Sequence, residues 1–474
     1  MAAKTQQNPQ EPMNPQLDVT APRSMRRAGH GTTLLIIAFL AALIYLAYVL
    51  VTQSPDYIAK AGAATYGKVY DRHGDVLFDG SKPLSSYPAG QFADVGNLIG
   101  DTSGQMSNTL IAKHRSELAN YSFLYGGGNQ NVSLHTTLDH KATRAVYDAL
   151  GSMDGTVIAY NWKSGDLLVC MSKPCVDIAL GYDKIEEMPK GSLLCKAFSP
   201  TVPGSTQKVS TLLAAYQYCG IDATNGMIFD CKGSWVNASG QKINCHNRSG
   251  HGTQTLQQGF ENSCNPFFAQ LVQSEKLPLT AIIEGYTKMG YRVNGAEQPG
   301  FSLDGIQIPP ASTTLTSDTD FNTQWGCIGQ GETLVTPYQL MLFQGAIASG
   351  TGKAVLPYLL SARTDVDGTV TSLGAVRYTD EMFTPESAKA VQEVMIKNAE
   401  NHYYVSLPDF NCGVKSGTAQ VNEDGREYEN SLLAGFCLDE SCPVAFCIVI
   451  EDHVKSPITS AQLAKVLLHA LSDT

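Results

Sequence analysis

The chain has 474 residues, of which 43% are hydrophobic and 16% charged, and it carries a formal net charge of −11 at pH 7. This composition predicts a substantial hydrophobic core divided over more than one domain, and it excludes a disordered or fibrous protein. The negative charge argues against a nucleic-acid partner, because phosphate recognition depends on concentrated Lys and Arg side chains.

The N-terminal region contains a long apolar segment. Residues 34–51, LLIIAFLAALIYLAYVLV, include no charged side chain, and these 18 residues suffice for one membrane-spanning helix. A cleaved signal peptide is the alternative, with AKAGA downstream as its cleavage site, but the apolar run exceeds the usual signal-peptide core. We therefore expect an uncleaved anchor at 33–52. Because Arg23, Arg26 and Arg27 precede it, 1–32 is predicted to be a cytoplasmic tail and the remaining chain extracytoplasmic.

The segment after the anchor is short and polar. The stretch YGKVYDRHGDVLFDG, residues 66–80, predicts two short strands that turn at His73 and Gly74. A Ser- and Gly-rich region follows and reaches YGGGNQN at 125–131, which indicates a boundary. These patterns predict a membrane-proximal pedestal at 53–130 and a larger domain at 131–474.

The larger domain has strand patterns at both ends. Residues 132–150 predict a strand that leads into an amphipathic helix, and GTVIAYNWKSGDLLVCMS, residues 155–172, predicts a hairpin. Near the C-terminus, CGVKSGTAQV, LLAGFCL and VAFCIVIED predict three successive antiparallel strands, followed by an amphipathic helix in SPITSAQLAKVLLHAL. Strands at both ends with helices between them indicate an α+β domain.

All twelve cysteines lie beyond the predicted anchor, in a compartment that permits disulfides. Cys231 and Cys245 flank a turn-rich stretch, and a disulfide between them is the preferred interpretation. The alternative is a zinc site, because Cys245, His246 and His251 cluster near Cys231 in the sequence. Since the chain contains no Cys-x-x-Cys pair, we expect no metal there.

Two Ser-x-x-Lys pairs occur in the chain. Ser239 and Lys242 lie in a polar turn without an apolar helix to hold them, whereas Ser205 and Lys208 open a strong helical pattern, VPGSTQKVSTLLAAYQY. A serine hydroxyl becomes a nucleophile when a positioned base takes its proton, and a lysine serves as that base when burial or a nearby cation lowers its pKa. In the structural alternative, Ser205 is only a helix cap and Lys208 a solvated surface residue.

Two further stretches favour the catalytic interpretation. GFENSCNPFF places Ser263 and Asn265 between two helical patterns, where Asn265 could also cap the helix that begins at a proline. GVKSGTAQV places a Lys-Ser-Gly-Thr sequence, 415–418, on an apolar strand, whose glycine would let a substrate backbone come close. The same tripeptide at 163–165 lies in a hairpin turn, where turn chemistry explains it.

Ser-x-x-Lys, Ser-x-Asn and Lys-Ser/Thr-Gly in this order resemble the signature of penicillin-binding proteins and serine β-lactamases. IGQGETLVTPYQL at 328–340 and YDRHGDVL near the anchor are similar to further segments of class B penicillin-binding proteins. Because 53–130 is too short for the large pedestal typical of that class, the chain resembles a short, PbpA-type member. The resemblance implies the α+β penicillin-binding transpeptidase fold, an antiparallel sheet flanked by helices plus an all-helical subdomain.

The resemblance also implies roles in acylation. Ser205 would attack the carbonyl between the two terminal D-alanines of a peptidoglycan stem peptide, with Lys208 as general base. Ser263 would relay a proton to the leaving amine, and Asn265 would hold the substrate amide and the Lys208 side chain. Lys415 would add positive charge that lowers the pKa of Lys208.

Substrate binding follows from the third motif. Lys415, Ser416, Gly417 and Thr418 would bind the substrate, with the two hydroxyls on its carboxylate. The backbone N–H groups of Ser205 and Thr418 would form the oxyanion hole. The resemblance implies no cofactor and no metal.

The implied partners are peptidoglycan stem peptides ending in D-Ala-D-Ala, β-lactam antibiotics, the cytoplasmic membrane and a glycosyltransferase of the FtsW/RodA type. A D,D-carboxypeptidase, a β-lactamase and a non-catalytic β-lactam sensor or scaffold are alternatives. None of the glutamates between the second and third motifs begins the Glu-x-x-Leu-Asn segment of class A β-lactamases. The resemblance therefore favours a D,D-transpeptidase of cell-wall synthesis, active in cell shape or division.

Overall fold

The computed structural model describes residues 23–60, 65–123, 126–127, 132–423 and 425–472. The predicted tail at 1–32 lies mostly outside the described residues, and so does the boundary predicted near residue 130.

The helices, in chain order, are α1 Arg23–Lys60, α2 Gly96–Ile99, α3 Leu110–Leu118, α4 His140–Leu150, α5 Lys208–Cys219, α6 Ile221–Asn225, α7 Leu256–Glu261, α8 Asn265–Val272, α9 Leu279–Lys288, α10 Phe321–Ile328, α11 Pro337–Ala348, α12 Pro385–His402 and α13 Ser460–Ser472. The strands are β1 Lys68–Tyr70, β2 Val76–Asp79, β3 Tyr121–Ser122, β4 Gly126–Gly127, β5 Ser133–Thr136, β6 Gly155–Asn161, β7 Leu167–Lys173, β8 Ile228–Cys231, β9 Ser234–Val236, β10 Lys242–Asn244, β11 Gly252–Thr255, β12 Tyr291–Val293, β13 Phe301–Leu303, β14 Ile306–Ile308, β15 Ala311–Thr313, β16 Leu360–Thr364, β17 Val370–Ser372, β18 Cys412–Glu423, β19 Arg426–Cys437 and β20 Val444–Ile450.

Helix α1 contains the predicted anchor. Its segment Arg27–Ser54 is long and apolar enough to cross a membrane, and none of its most apolar window is buried against the rest of the chain. The large apolar side chains along it are exposed to the surroundings. This arrangement is consistent with a single-pass anchor, because a core helix of a soluble domain would be covered by protein.

A five-stranded antiparallel sheet, ordered β18-β19-β20-β6-β7, forms the centre of the larger domain. The predicted hairpin and the predicted C-terminal strands are confirmed, and β20 joins them by pairing with β6. Helices α4 and α13 cover one face of the sheet, and α11 packs on the other. Strand β20 is buried along its whole length, as its unbroken apolar sequence requires for a central strand covered on both faces.

The remaining helices pack beside this sheet, with α5 against α9 and α10 against α8. The predicted α+β fold, with helices flanking an antiparallel sheet, is confirmed. The helical part also carries short two-stranded sheets, among them β8 with β11 and β9 with β10. These strands are so short that an alternation of apolar and polar residues cannot distinguish them from loops in the sequence.

The pedestal shares a second sheet with the larger domain. Its predicted hairpin is present as β1 and β2, and the full order is β17-β16-β5-β1-β2. Strand β1 pairs in parallel with β5, which pairs with β16 more than 200 residues further along the chain. Such non-local pairing leaves no mark in local periodicity, so the sequence alone suggested a more separate pedestal.

Candidate active site

Ser205 lies in a single 3₁₀ turn, Gly204–Gln207, that leads directly into α5. Neither the turn nor the helix has a capping hydrogen bond from a side chain, so the interpretation of Ser205 as a helix cap is wrong. Its Oγ lies instead 2.9 Å from Lys208 Nζ. The turn therefore directs the hydroxyl toward the lysine rather than toward the backbone of its own helix.

The Lys208 amine is at the centre of the site, and its side chain is fully buried. Besides Ser205 Oγ, it contacts the Ser263 carbonyl oxygen at 2.6 Å, Asn265 Oδ1 at 2.8 Å and Ser263 Oγ at 3.3 Å. Burial, and then the charge of Lys415, lower the pKa of Lys208 well below its usual value. The alternative of a solvated surface lysine is wrong.

The contacts of Lys208 suit its neutral form. A neutral amine has two N–H donors and one lone pair. The two shortest contacts, to the Ser263 carbonyl and Asn265 Oδ1, are with acceptors. The lone pair is then available to accept the hydroxyl proton of Ser205, which is the geometry of a general base.

Ser263 lies between the two lysines. Its Oγ accepts a hydrogen bond from Lys415 Nζ at 3.0 Å, and Lys208 Nζ is 3.3 Å away on the other side. The residue has a φ of 47°, a left-handed conformation that costs energy for a serine. This conformation directs the Ser263 carbonyl toward Lys208 while the hydroxyl faces Lys415.

Lys415 projects from β18 and is 1% exposed. Its Nζ also donates to the carbonyl oxygen of Ser416 at 3.0 Å. Burial lowers the pKa of Lys415 to about 7. Two amines with lowered pKa values on either side of one serine hydroxyl are typical of a catalytic site.

Asn265 is the first residue of α8, and the preceding N-cap position belongs to Cys264. The alternative that Asn265 caps this helix is therefore wrong. Its Oδ1 accepts from Lys208, and its Nδ2 donates to the carbonyl of Asn244 at 3.1 Å. The amide thereby connects the buried lysine to the polar wall of the cleft.

Close backbone packing holds the Ser205 turn against β18. A Cβ on Gly417 would lie 2.7 Å from the Pro203 carbonyl oxygen and 3.1 Å from the backbone nitrogen of Ser205. Gly204, at a φ of 55°, faces Thr418 equally closely. Gly417 thus admits another part of the chain rather than a substrate backbone, which is a correction to the sequence interpretation. The same packing places the Ser205 turn beside the backbone of Thr418.

An open cleft of about 490 Å³ lies over these groups. The predicted residues that line it are Ser205, Ser263, Asn265, Ser416, Gly417 and Thr418, with the lysines buried behind them. The structure thus brings all eight predicted site residues together.

Sequence reasoning missed other parts of the cleft. Phe321 and Trp325 stack at 5.5 Å and form an aromatic wall. Gln330 donates to the Thr418 carbonyl at 2.9 Å and accepts from the Gln420 backbone. Lys242, from the Ser-x-x-Lys pair judged to be a turn, also lines the cleft. Gln330 lies in the Gly-Gln-Gly segment, so that resemblance was the one signal for its role.

The cysteines differ from expectation. All twelve are free thiols, including Cys231 and Cys245, for which a disulfide was preferred. Instead, Cys231, Cys245 and His251 form one group with Cys264, and these four residues could hold a metal ion. The expectation of no metal stays a prediction, and the zinc alternative stays open beside it. His246, which the sequence placed in the cluster, lies outside this group and lines the cleft, as Cys245 also does.

Comparison with known proteins gives one family match. The family model described as the penicillin binding protein transpeptidase domain matches residues 155–469, about two thirds of the chain. Stage V sporulation protein D of Bacillus subtilis is 27% identical over 299 residues, which cover 60% of this chain and 42% of that protein. The peptidoglycan D,D-transpeptidase MrdA of Haemophilus influenzae is 25% identical over 324 residues, covering 61% and 46%. The chain thus matches less than half the length of either relative.

Solved structures share the fold. The crystal structure of PBPA from Mycobacterium tuberculosis is 20% identical, with a TM-score of 0.71 over 86% of this chain and 99% of that chain. The ceftriaxone acyl-enzyme complex of the same protein has a TM-score of 0.74 at 19% identity, over 87% and 99%. These neighbours share the fold of this chain over nearly the whole length of the solved chain.

Proposed function

Because the chain belongs to the penicillin-binding protein transpeptidase family, we propose that it is a serine D,D-transpeptidase that cross-links peptidoglycan stem peptides and is acylated by β-lactams. The observation that carries this proposal is the 2.9 Å contact between Ser205 Oγ and a fully buried lysine amine with a lowered pKa. A hydroxyl beside such an amine is activated as the nucleophile that acyl transfer requires.

In the acylation step, Lys208 takes the proton of Ser205 as Oγ bonds to the carbonyl carbon of the penultimate D-alanine. The oxyanion that forms is stabilised by the backbone N–H groups of Ser205 and Thr418. When the carbon–nitrogen bond breaks, the departing D-alanine amine receives a proton through Ser263, whose Oγ lies within 3.3 Å of both lysines. The product is an ester between Ser205 and the shortened stem peptide.

The cleft also suits the substrate's ends. Ser416 and Thr418 line it on β18, where their hydroxyls can bind a terminal carboxylate beside the positive charge of Lys415. Asn265 presents its amide on the facing wall and can bind the peptide backbone of the stem. A β-lactam places its own carboxylate and reactive carbonyl in the same positions, and its ring opening leaves the acyl group on Ser205.

In the second step, an amine from a neighbouring stem peptide attacks the ester carbonyl and the bond from that carbon to Ser205 Oγ breaks. The proton lost by the amine passes through Lys208 to Ser205 Oγ, so the cross-link forms and both residues return to their starting states. Attack by water instead would make the protein a carboxypeptidase or β-lactamase. The family match and the MrdA relative, which is named a peptidoglycan D,D-transpeptidase, favour the amine as acceptor.

The proposal includes a cellular arrangement. The tail at 1–32 is cytoplasmic, the helix at 33–52 spans the membrane, the pedestal at 53–130 follows it, and the transpeptidase domain at 131–474 acts on the extracytoplasmic face. The exposed apolar helix supports the anchor. A membrane glycosyltransferase of the FtsW/RodA type would supply glycan strands for this reaction.

Labelling with a fluorescent penicillin tests the proposal. The full chain in detergent is compared with Ser205→Ala and with Ser239→Ala, the serine of the second Ser-x-x-Lys pair. We expect a long-lived covalent adduct in the wild type and in Ser239→Ala, and none in Ser205→Ala. An adduct that persists in Ser205→Ala would remove Ser205 from its role, and rapid loss of the label would favour a β-lactamase. Cross-linked muropeptides formed from stem peptides distinguish a transpeptidase from a carboxypeptidase.

A further inference from the structure

Two cationic side chains line the cleft on the side of the second motif. Lys242 lies on β10 and Arg248 in the loop that follows this strand, and both border the cleft over Ser205. Both residues are exposed to solvent. Neither side chain forms an ion pair or a hydrogen bond with another residue of the ranges that the structure describes. Two positive charges of the cleft therefore have no part in the acylation chemistry proposed above.

The alternation of side chains along β10 directs Lys242 into the cleft. Ile243 is fully buried, whereas Lys242 and Asn244 are exposed, so these two polar side chains share the outer face of the strand. The Asn244 carbonyl accepts a hydrogen bond from Asn265 Nδ2 at 3.1 Å. The α-carbons of Lys242 and Asn244 are separated by about 7 Å, the advance of two strand residues. Lys242 thus continues the wall of the cleft that begins at Asn265.

The loop that carries Arg248 is restrained by its own backbone. The Cys245 amide donates to the Gly233 carbonyl at 3.0 Å, and the Asn247 side chain donates to the Gly250 carbonyl at 2.9 Å. A Cβ on Gly233 would lie 2.0 Å from the Arg248 carbonyl oxygen, so the loop packs directly on the connection between β8 and β9. A restrained backbone reduces the entropy that is lost when the guanidinium binds a ligand.

An aromatic wall lies beside the same part of the cleft. Phe321 and Trp325 stack with their ring centroids 5.5 Å apart, and both line the cleft. The Phe321 amide donates to Gln241 Oε1 at 3.2 Å, and Gln241 directly precedes Lys242 in the chain. This contact joins the start of α10 to β10, so an apolar surface and a positive charge are neighbours. A ligand side chain with an aliphatic stem and an anionic end matches this combination.

The charges that line the cleft favour an anion. Glu429 is the one carboxylate among the described residues of the lining, and it lies 3.7 Å from His453 Nε2. Lys242 and Arg248 outnumber it, although the whole chain carries a net charge of −11. A concave surface with an excess of one sign of charge concentrates ligands of the opposite sign. The cleft is therefore a positive region on a negative protein.

The position of these charges along the substrate follows from the proposed mechanism. That mechanism places the terminal carboxylate at Ser416 and Thr418. The attacked carbonyl lies at Ser205, and the stem peptide then continues past Asn265. Because an extended peptide advances about 3.4 Å per residue, Lys242 lies about one to two residues further along the stem. It is level with the third or second residue of the stem peptide rather than with the reacting D-alanine.

We propose that Lys242 and Arg248 select stem peptides that carry a free carboxylate on one of the two residues before the D-Ala-D-Ala end. One source of this group is a third residue that is a diamino acid with a carboxylate at the end of its side chain. The other is a second residue that is a glutamate linked through its side chain, with a free α-carboxylate. The ammonium and the guanidinium bind either carboxylate by charge-assisted hydrogen bonds. The aromatic wall favours the third residue, whose side chain has the aliphatic stem.

Lys242 and Arg248 are specificity determinants, and this role rests on the proposed function. Synthetic stem pentapeptides test it with the full chain in detergent. In one pair of peptides the carboxylate of the third residue is free or amidated, and in a second pair that of the second residue is free or amidated. The readouts are the release of D-alanine and the mass of the adduct on Ser205.

We expect kcat/KM for the peptide with the free carboxylate to exceed that for its amide by about tenfold, mainly through KM, because two charge-assisted contacts are lost on amidation. The neutral amide keeps the size and shape of the substrate, so this ratio isolates the charge. High salt should reduce the ratio, since the two cations are exposed to solvent.

Variants assign the preference to the two cations. Lys242→Gln and Arg248→Gln should each lower the ratio of kcat/KM between free and amidated peptide about threefold, and the double variant should bring it close to one. Lys232→Gln is the matched control, because Lys232 belongs to the same segment but lies outside the lining of the cleft, 3.8 Å from Asp230. It should keep the full ratio. Since each variant is compared with itself on two peptides, a general loss of activity does not change the readout.

The outcomes separate this role from the proposed function. Equal kcat/KM values for free and amidated peptides in the wild type would overturn the role, and so would a preference that persists in the double variant. A preference that responds only to the second residue would support the role with that residue as the source of the carboxylate. Penicillin labelling of Ser205 without acylation by the peptide with free carboxylates would overturn the role alone. Absence of both reactions would overturn the proposed function itself.

Discussion

Replacing Lys415 by methionine tests how the two lysines interact. Both amines lie near Ser263 Oγ, at 3.3 and 3.0 Å, so they are no more than about 6 Å apart, where two unit charges repel by about 3 kcal/mol at an effective dielectric constant of about 20. This repulsion corresponds to about two pKa units. Since the pKa of Lys415 is itself lowered to about 7, its charge is only partial near neutrality, and the effect there is smaller.

The sign follows from the proposed role of Lys208 as a base. In that role Lys208 acts when neutral, so acylation rises with pH through its pKa. Removal of the neighbouring positive charge raises that pKa, and the acidic limb of the acylation profile in Lys415→Met should move upward by about one to two pH units. Lys415→Arg keeps the charge and should leave the limb closer to its original position.

The measurement is the second-order rate of penicillin acylation from pH 5 to 9, by stopped-flow or quenched gel labelling. Rates are compared at each pH against the plateau of the same variant, so that a general loss of activity does not imitate a shift. An acidic limb that stays in place in Lys415→Met, whatever its plateau, would refute the electrostatic argument and leave Lys415 as a contact residue only.

Three further predictions concern packing and protonation. Gly417→Ala would set a Cβ 2.7 Å from the Pro203 carbonyl oxygen, so the Ser205 turn must shift; acylation should fall about tenfold or more, and a wild-type rate would contradict the packing. Phe436→Ala removes a fully buried ring from the central sheet and should lower the free energy of unfolding by about 3 to 5 kcal/mol in denaturant titrations, whereas a loss below about 1 kcal/mol would contradict its core position. Burial lowers the pKa of His114, but its 3.0 Å contact with Glu117 outweighs burial and raises it overall. The contact between protonated His114 and Glu117 stabilises the fold fully below about pH 6.5, and this stabilisation is lost as the pH rises through the pKa of His114 in the folded state. The loss of stability of His114→Asn relative to the wild type should therefore be larger at pH 6 than at pH 8. An equal loss at both pH values would contradict this reasoning.

The sequence predicts the central sheet well because its signals are local. The hairpin of β6 and β7 and the strands β18 to β20 are continuous apolar runs separated by turn residues, and each pairs with its neighbour in the chain. The pairing of β20 with β6 and of β5 with β16 joins distant segments. No local sequence pattern indicates which distant strand is the partner, so these pairings could be identified only from the structure.

The grouping of the candidate site residues was predictable because three short motifs fall in a recognisable order. Their contacts were not, since the link from Lys208 to the Ser263 carbonyl depends on the left-handed φ of Ser263, which a serine rarely adopts. Lys242 was set aside because its local sequence is a polar turn, yet β10 carries it to the cleft. The local sequence around a residue thus indicated its chemical role better than it indicated where the residue lies in the folded chain.

Cys264 is a second residue whose neighbours in the fold could not be predicted from its local sequence. In the sequence it occupies the variable middle position of the second motif, while the other three members of its group, Cys231, Cys245 and His251, lie upstream in a turn-rich segment. Only the folding of β8, β10 and β11 against the start of α8 brings the four together.

The two supports of the active site are therefore different in kind. Ser205 is held by backbone packing, through Gly417 against Pro203 and a 2.8 Å hydrogen bond from the Gly204 amide to the Gly329 carbonyl. Ser263 has a left-handed conformation, and its carbonyl and hydroxyl oxygens accept from Lys208 and Lys415. Substitution of Ser263 should accordingly disturb the proposed proton relay more than the placement of the nucleophile. Ser263→Ala should then lower the acylation rate while the remaining acylation keeps its dependence on Ser205, a pattern that general unfolding would not produce.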